Sequence, residues 1–117
     1  MGHVYVTAKI SNLGRTKGKE VEALVDTGAT LTVVPQEIAT ELGLEQISRE
    51  EVETGAGIIE LSRSVARISI NGKEAVQEVL MSDIINKVLI GTVTLETLAL
   101  SVDPLTGKLK EKRLLLY

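Results

Sequence analysis

The chain has no cysteine, phenylalanine or tryptophan, and only one histidine and two prolines among its 117 residues. Without cysteine there is no disulfide, no thiolate-held zinc and no cysteine nucleophile. His3 alone cannot assemble a histidine metal site or a histidine-centred triad, and beside the N-terminus it reads as a surface residue. Tyr5 and Tyr117 are the only aromatics, which leaves no platform for stacking bases. Basic residues number 13 against 16 acidic ones, and a net charge of −3 disfavours a grip on phosphate backbones. No stretch approaches the roughly 20 apolar residues of a membrane-spanning helix. The first five residues lack the basic start and apolar run of a secretory signal. These absences predict a cytoplasmic protein with no nucleic-acid or membrane partner, no metal and no cofactor.

What is present is aliphatic and acidic. Hydrophobic residues make up 44% of the chain, and Val, Ile and Thr together supply 34 residues. Their β-branched side chains fit a pleated surface better than a helix, so a mainly β fold is expected. The length suits one domain with one core, here residues 1–117. For catalysis, little besides carboxylates remains.

Val4, Val6, Ala8 and Ile10 alternate with polar residues, the period of a half-buried strand, and Asn12 to Gly18 then mark a turn. Val21, Ala23 and Val25 form a second strand leading into Asp26-Thr27-Gly28-Ala29-Thr30, after which Leu31, Val33 and Val34 resume. Pro35 suits a first helical turn, Ile38, Ala39 and Leu42 follow at helical spacing, and Gly43 supplies a stop. From Glu50 to Ile70 the pattern is a long hairpin with Thr54-Gly55-Ala56-Gly57 at its tip. Asn71-Gly72 signals a type I′ turn into a strand through Ala75–Met81. Lys87–Gly91 reads as a buried strand, and Thr92–Leu98 as a second short helix capped by Thr92, with Val93, Leu95 and Leu98 inward. Asp103-Pro104 and Gly107 are the turn chemistry of a last hairpin, Leu100–Leu109, and the charges of Lys108–Arg113 suit a solvated edge strand.

Only three aspartates occur, and of these only Asp26 is set between apolar runs, Ala23-Leu24-Val25 and Leu31-Thr32-Val33-Val34. A carboxylate entering a core needs hydrogen-bond partners or must keep its proton. Thr27 and Gly28 can provide them, the first through its hydroxyl and the second by turning backbone N–H groups toward the carboxylate. The bare triplet has a plain reading as a turn in which Asp26 makes an Asx-type bond to its own backbone. Asp-x-Gly-x-Thr also resembles the phosphate loop of actin-like and sugar-kinase-like ATPases, but those need two large domains, for which 117 residues are too few. A likeness to the phospho-aspartate loop of haloacid-dehalogenase-like enzymes fails at Gly28, where that loop needs a polar residue.

Ala23 to Pro35 resembles the active-site segment of the retroviral-type, or retropepsin-like, aspartic proteases. Val88-Leu89-Ile90-Gly91 followed by a short helix is similar to that family's second signature, and Gly55-Ala56-Gly57 falls between them, where the family has its flap. The three features span roughly residues 4–103 in the family's order. Val102-Asp103-Pro104 adds a likeness to the small cellular members of bacteria and archaea.

The resemblance implies a closed, Greek-key-like acid-protease barrel with one or two short helices, one lobe per chain, active as a two-fold homodimer. It implies Asp26 as the catalytic residue, supported by Thr27, Gly28 and Ala29. Thr27 would bind its twin across the axis and Gly28 would offer its carbonyl to the substrate backbone. Gly55, Ala56, Gly57 and Ile58 would form the flap over an extended peptide or unfolded protein segment. Leu24, Val33, Ile58, Ile59 and Ile90 are expected either as pocket walls, in a groove lined by Leu, Ile and Val, or as ordinary core. Ala29 has no hydroxyl to donate to the carboxylate, which should move activity away from strongly acid pH. Aspartic protease chemistry needs two carboxylates, and neither Asp83 nor Asp103 has surroundings like those of Asp26, so the second must come from another copy. The competing reading is a non-catalytic dimerisation or peptide-binding module of the same fold. The terminal Leu114-Leu115-Leu116-Tyr117 is expected to pack or to join the dimer.

Overall fold

Aliphatic alternation builds β1 (Val4–Ser11) and β2 (Gly18–Val25), an antiparallel pair in which Val4 faces Val25 and Ser11 faces Gly18. The structure, a computed structural model, describes residues 3–113. The turn between these strands is tied by Asn12, whose Oδ1 accepts the Thr16 amide at 3.0 Å while its Nδ2 donates to the Thr16 hydroxyl at 2.8 Å. After the Asp26 loop come β3 (Thr32–Pro35) and α1 (Gln36–Leu42). Pro35 stands at the N-cap, where its missing N–H leaves nothing unpaired, and Gly43 ends the helix at φ 69°.

The long hairpin is β4 (Ser48–Thr54) and β5 (Gly57–Ile70), with only Gly55 and Ala56 between the paired Thr54 and Gly57. Asn71 and Gly72, at φ 53° and 78°, turn β5 into β6 (Lys73–Ser82). The anticipated strand at Lys87–Gly91 is shorter than its apolar run, since only β7 (Leu89–Ile90) is wedged between β2 and β3. Helix α2 (Thr92–Thr97) follows, and its N-cap is Gly91, not Thr92. Thr92 instead directs its amide to the Ala29 carbonyl at 2.9 Å. The chain continues into β8 (Leu100–Val102) and β9 (Leu109–Glu111), the final hairpin. Residues 114–117, with the terminal leucines, lie outside the described residues.

Strand pairing runs β1–β2–β7–β3–β6–β5 and returns from β5 to β1 through Ile10 opposite Ile68, so six strands close on themselves. Strand β4 stands outside this ring, bonded to β5 alone. Inside lie Ile10, Ala23, Val34, Ala66, Ile68, Val79 and Ile90, covered by Ala39 and Leu42 of α1 and Leu95 of α2. Because side chains alternate across a strand, one register row faces the other way. Leu24, Leu89, Val33, Leu80 and Arg63 stand opposite one another in adjacent strands. This outward row borders the Asp26 loop.

Candidate active site

Asp26 directly follows β2, and its amide donates to the Ile90 carbonyl at 2.9 Å. Its Oδ1 accepts the Gly28 amide at 2.9 Å, and the Ala29 amide bonds back to the Asp26 carbonyl at 3.1 Å. The Asx-type bond of the plain turn reading is therefore present, and it serves to orient the carboxylate. The tip of the loop, Thr27 and Gly28, is exposed, while Asp26 and Ala29 are half-buried.

Three backbone bonds fasten the loop to the end of β7 and the start of α2: Asp26 to Ile90, Thr92 to Ala29, and Val93 to Thr30 at 3.0 Å. Between them Gly91 presses against the loop so closely that an added Cβ would lie 2.5 Å from the Leu31 carbonyl carbon and 2.7 Å from the Thr30 oxygen. Only glycine permits this contact. The second glycine of the sequence pattern is thus a spacing requirement of the Asp26 loop.

A cleft of about 550 Å³ opens beside Asp26, between the loop and β4. Gly28, Ala29, Leu31, Val33 and Leu80 line one side and residues 50–54 the other, with Arg63 at the margin. Of the anticipated pocket walls, Val33 lines this cleft. Ile90 does not, being fully buried in the core, because strand alternation gives the outward place to its neighbour Leu89. Leu24 shares the outward row beyond Asp26, and half-buried Ile59 faces Val52 across the hairpin. Gly55, Ala56, Gly57 and Ile58 are all exposed at the hairpin tip, Ile58 by 68%. The Thr54 hydroxyl braces that tip, accepting the Ala56 amide at 3.1 Å and donating to the Gly57 carbonyl at 2.8 Å.

The lining is more charged than the expected Leu, Ile and Val groove, for Glu50, Glu51 and Glu53 all take part. Arg63 donates to Glu50 at 2.8 Å and to Glu78 at 2.7 Å, tying β4, β5 and β6 together at the base of the hairpin. The Glu50 hydrogen bond, joined by Glu78, holds the guanidinium yet more firmly in its charged form against partial desolvation. Leu80 and Arg63 escaped the sequence reading because their nearness to Asp26 depends on β6 pairing with β3, which no local pattern announces. Leu89 is one position from Ile90, and the alternation of side chains along Val88, Leu89 and Ile90 is the signal in the sequence for its outward place.

A closed ring of six strands bearing Asp-Thr-Gly at its edge, under a projecting hairpin, has the form of a retroviral-type aspartic protease lobe. Residues 13–97 match the family described as gag-polyprotein putative aspartyl protease, and the chain belongs to that family. Among solved structures it is similar to the simian foamy virus (mac) protease, with 22% identity and a TM-score of 0.58 over 80% of this chain and 93% of that one. The EIAV protease complexed with the inhibitor HBY-793 has 20% identity and a TM-score of 0.65, over 83% of this chain and 88% of that one. No curated protein matches the chain. Family and fold are those of aspartic peptidases. Among the described residues no helix is long and apolar enough to cross a membrane, and no group of acidic and histidine side chains could hold a metal ion.

Proposed function

We propose that the protein is an aspartic endopeptidase that cuts extended peptide or unfolded protein segments as a two-fold homodimer. One observation carries the reading: a single Asp-Thr-Gly loop, exposed at its tip, stands at the mouth of a peptide-sized cleft with no second aspartate beside it. Asp83 lines a separate hollow with Pro35 and Ile38, and Asp103 closes its own turn by accepting the Leu105 amide at 2.9 Å. A second copy, meeting the first at Thr27, would bring the missing carboxylate. One carboxylate then takes a proton from water as the oxygen attacks the scissile carbonyl carbon. The protonated partner gives its proton to the carbonyl oxygen. The proton taken from water then passes from its carboxyl to the departing nitrogen as the C–N bond breaks, and the surplus hydroxyl proton of the intermediate returns to the partner carboxylate. The substrate would lie between the loop and β4 as an added strand, with apolar side chains along Leu24, Leu89, Val33 and Leu80.

Purified protein should cleave an unfolded protein, and a statine-type inhibitor should block it. Asp26→Asn should abolish cleavage while leaving peptide binding intact. If wild type and Asp26→Asn bind a peptide alike and neither cuts it, the non-catalytic module is the correct reading.

A further inference from the structure

Beneath the Asp26 loop runs a buried chain of side-chain hydrogen bonds whose direction can be deduced atom by atom. Gln77 Nε2 donates to the Val76 carbonyl at 3.1 Å, and a carbonyl can only accept, so the amide's orientation is set. Gln77 Oε1 therefore faces the Thr94 hydroxyl, 3.4 Å away, and must accept from it. Thr94 has one proton, now used, so the 2.8 Å contact between Thr94 and Thr32 is a bond donated by Thr32. Thr32 Oγ1 in turn accepts the Gly91 amide at 3.0 Å. All bonds point one way, from Gly91 through Thr32 and Thr94 to Gln77, and Thr32, Thr94 and Gln77 are buried. Such chains polarise one another in a low-dielectric interior.

The near end of this chain is the glycine that touches the Thr30 and Leu31 backbone. The residues flanking it, Ile90, Thr92 and Val93, hold Asp26, Ala29 and Thr30 by backbone bonds. The Gly91 amide itself turns into the core, and among the described residues its partner is Thr32. The far end lies on β6, which also supplies Leu80 to the cleft.

We propose that Gln77, Thr94 and Thr32 are positioning residues for catalysis, fixing the height and tilt at which the loop presents Asp26. This rests on Asp26 being the catalytic carboxylate. Gln77 is the direction-setting member. Without its acceptor the two hydroxyls could reverse, with Thr94 donating to Thr32, and the Thr32 proton would then lose the acceptor that fixes the orientation of the oxygen receiving the Gly91 amide. A reaction needing two carboxylates on one water is sensitive to such a loss, since a misplacement of about 1 Å can cost on the order of 100-fold in rate.

The test uses Gln77→Met and the near-isosteric Thr94→Val to break the chain, and Thr94→Ser to retain it. Two quantities are read: amide hydrogen exchange at Gly91 and residues 26–30, and kcat and KM on a peptide substrate. The chain-breaking variants should speed exchange at Gly91 and lower kcat about tenfold, with KM within about twofold of wild type. Thr94→Ser should match wild type in both. Should Thr94→Val fail to fold, Gln77→Met, which alters only the end of the chain, carries the test. Unchanged exchange or unchanged kcat in folded Gln77→Met would overturn the inference while leaving the protease reading intact. If wild type cuts nothing, the protease reading fails. The exchange result then decides alone whether the chain holds the loop.

Discussion

Gly91 sits closer to neighbouring backbone than any side chain could tolerate, and that contact is with the loop that carries Asp26, the carboxylate proposed as catalytic. A methyl group there would meet main-chain atoms of Thr30 and Leu31, which cannot rotate aside as a flexible side chain would. Gly91→Ala should therefore destabilise the fold by about 3 kcal/mol, the upper end of ordinary overpacking. Denaturant melting checks this, and a midpoint within error of wild type would contradict the packing described here. Ala29 poses the converse case, in which a small residue withholds an interaction. A hydroxyl at this position would donate to the carboxylate and favour its charged form, so the charged form would persist to lower pH. In Ala29→Ser the acid limb of the pH–rate profile should move to lower pH, and an unmoved limb would show that the hydroxyl does not reach the carboxylate.

At the scale of elements, three parts of the chain converge on Glu74. Arg15 in the β1–β2 turn donates to it at 2.7 Å and Arg67 of β5 at 3.2 Å, so one carboxylate of β6 ties that turn to the β5–β6 hairpin. The Arg15 hydrogen bond, aided by Arg67, lowers the Glu74 carboxyl below its ordinary value of 4.5. A depressed carboxylate contributes stability above its unfolded-state value and loses it as pH falls through the lower folded value. Glu74→Gln should thus flatten the fall of melting temperature below about pH 4.5, with little change at neutral pH beyond an exposed pair's small share. A wild-type acid slope in the variant would sink this assignment. These elements differ in how far their sequence announces them. Asn71-Gly72 and Gly43 carry their turns in their own backbone chemistry, and the alternation of β1, β2 and β5 needs no tertiary partner to be read. Of the row Leu24, Leu89, Val33 and Leu80, the family likeness points to Leu24 and Val33, whereas Leu89 and Leu80 join it only through the register of β6 and β7 against β2 and β3, which lie far from them in sequence. The Thr32–Thr94–Gln77 chain was hidden for the same reason, since isolated threonines and a glutamine look like surface until the fold buries them.

For the molecule as a whole, the composition takes on a meaning that the residue count alone does not supply. One Asp-Thr-Gly per chain means that catalysis, on our reading, is a property of a pair, and a pair can be poisoned by one defective member. Cleavage per chain should fall on dilution through the dimer dissociation range, where a self-sufficient enzyme would keep constant specific activity. Mixing gives a sharper discrimination. If wild type and Asp26→Asn are combined in equal amounts and allowed to exchange, random pairing leaves roughly a quarter of the dimers with two aspartates. Activity should then settle near half of that shown by the same wild-type protein alone, because half of its chains are in mixed dimers with a single functional aspartate. A lobe that worked alone would be unaffected by the added variant. Full activity in the mixture, with exchange of chains verified by mass-labelled subunits, would show that the two-carboxylate account of this site is wrong.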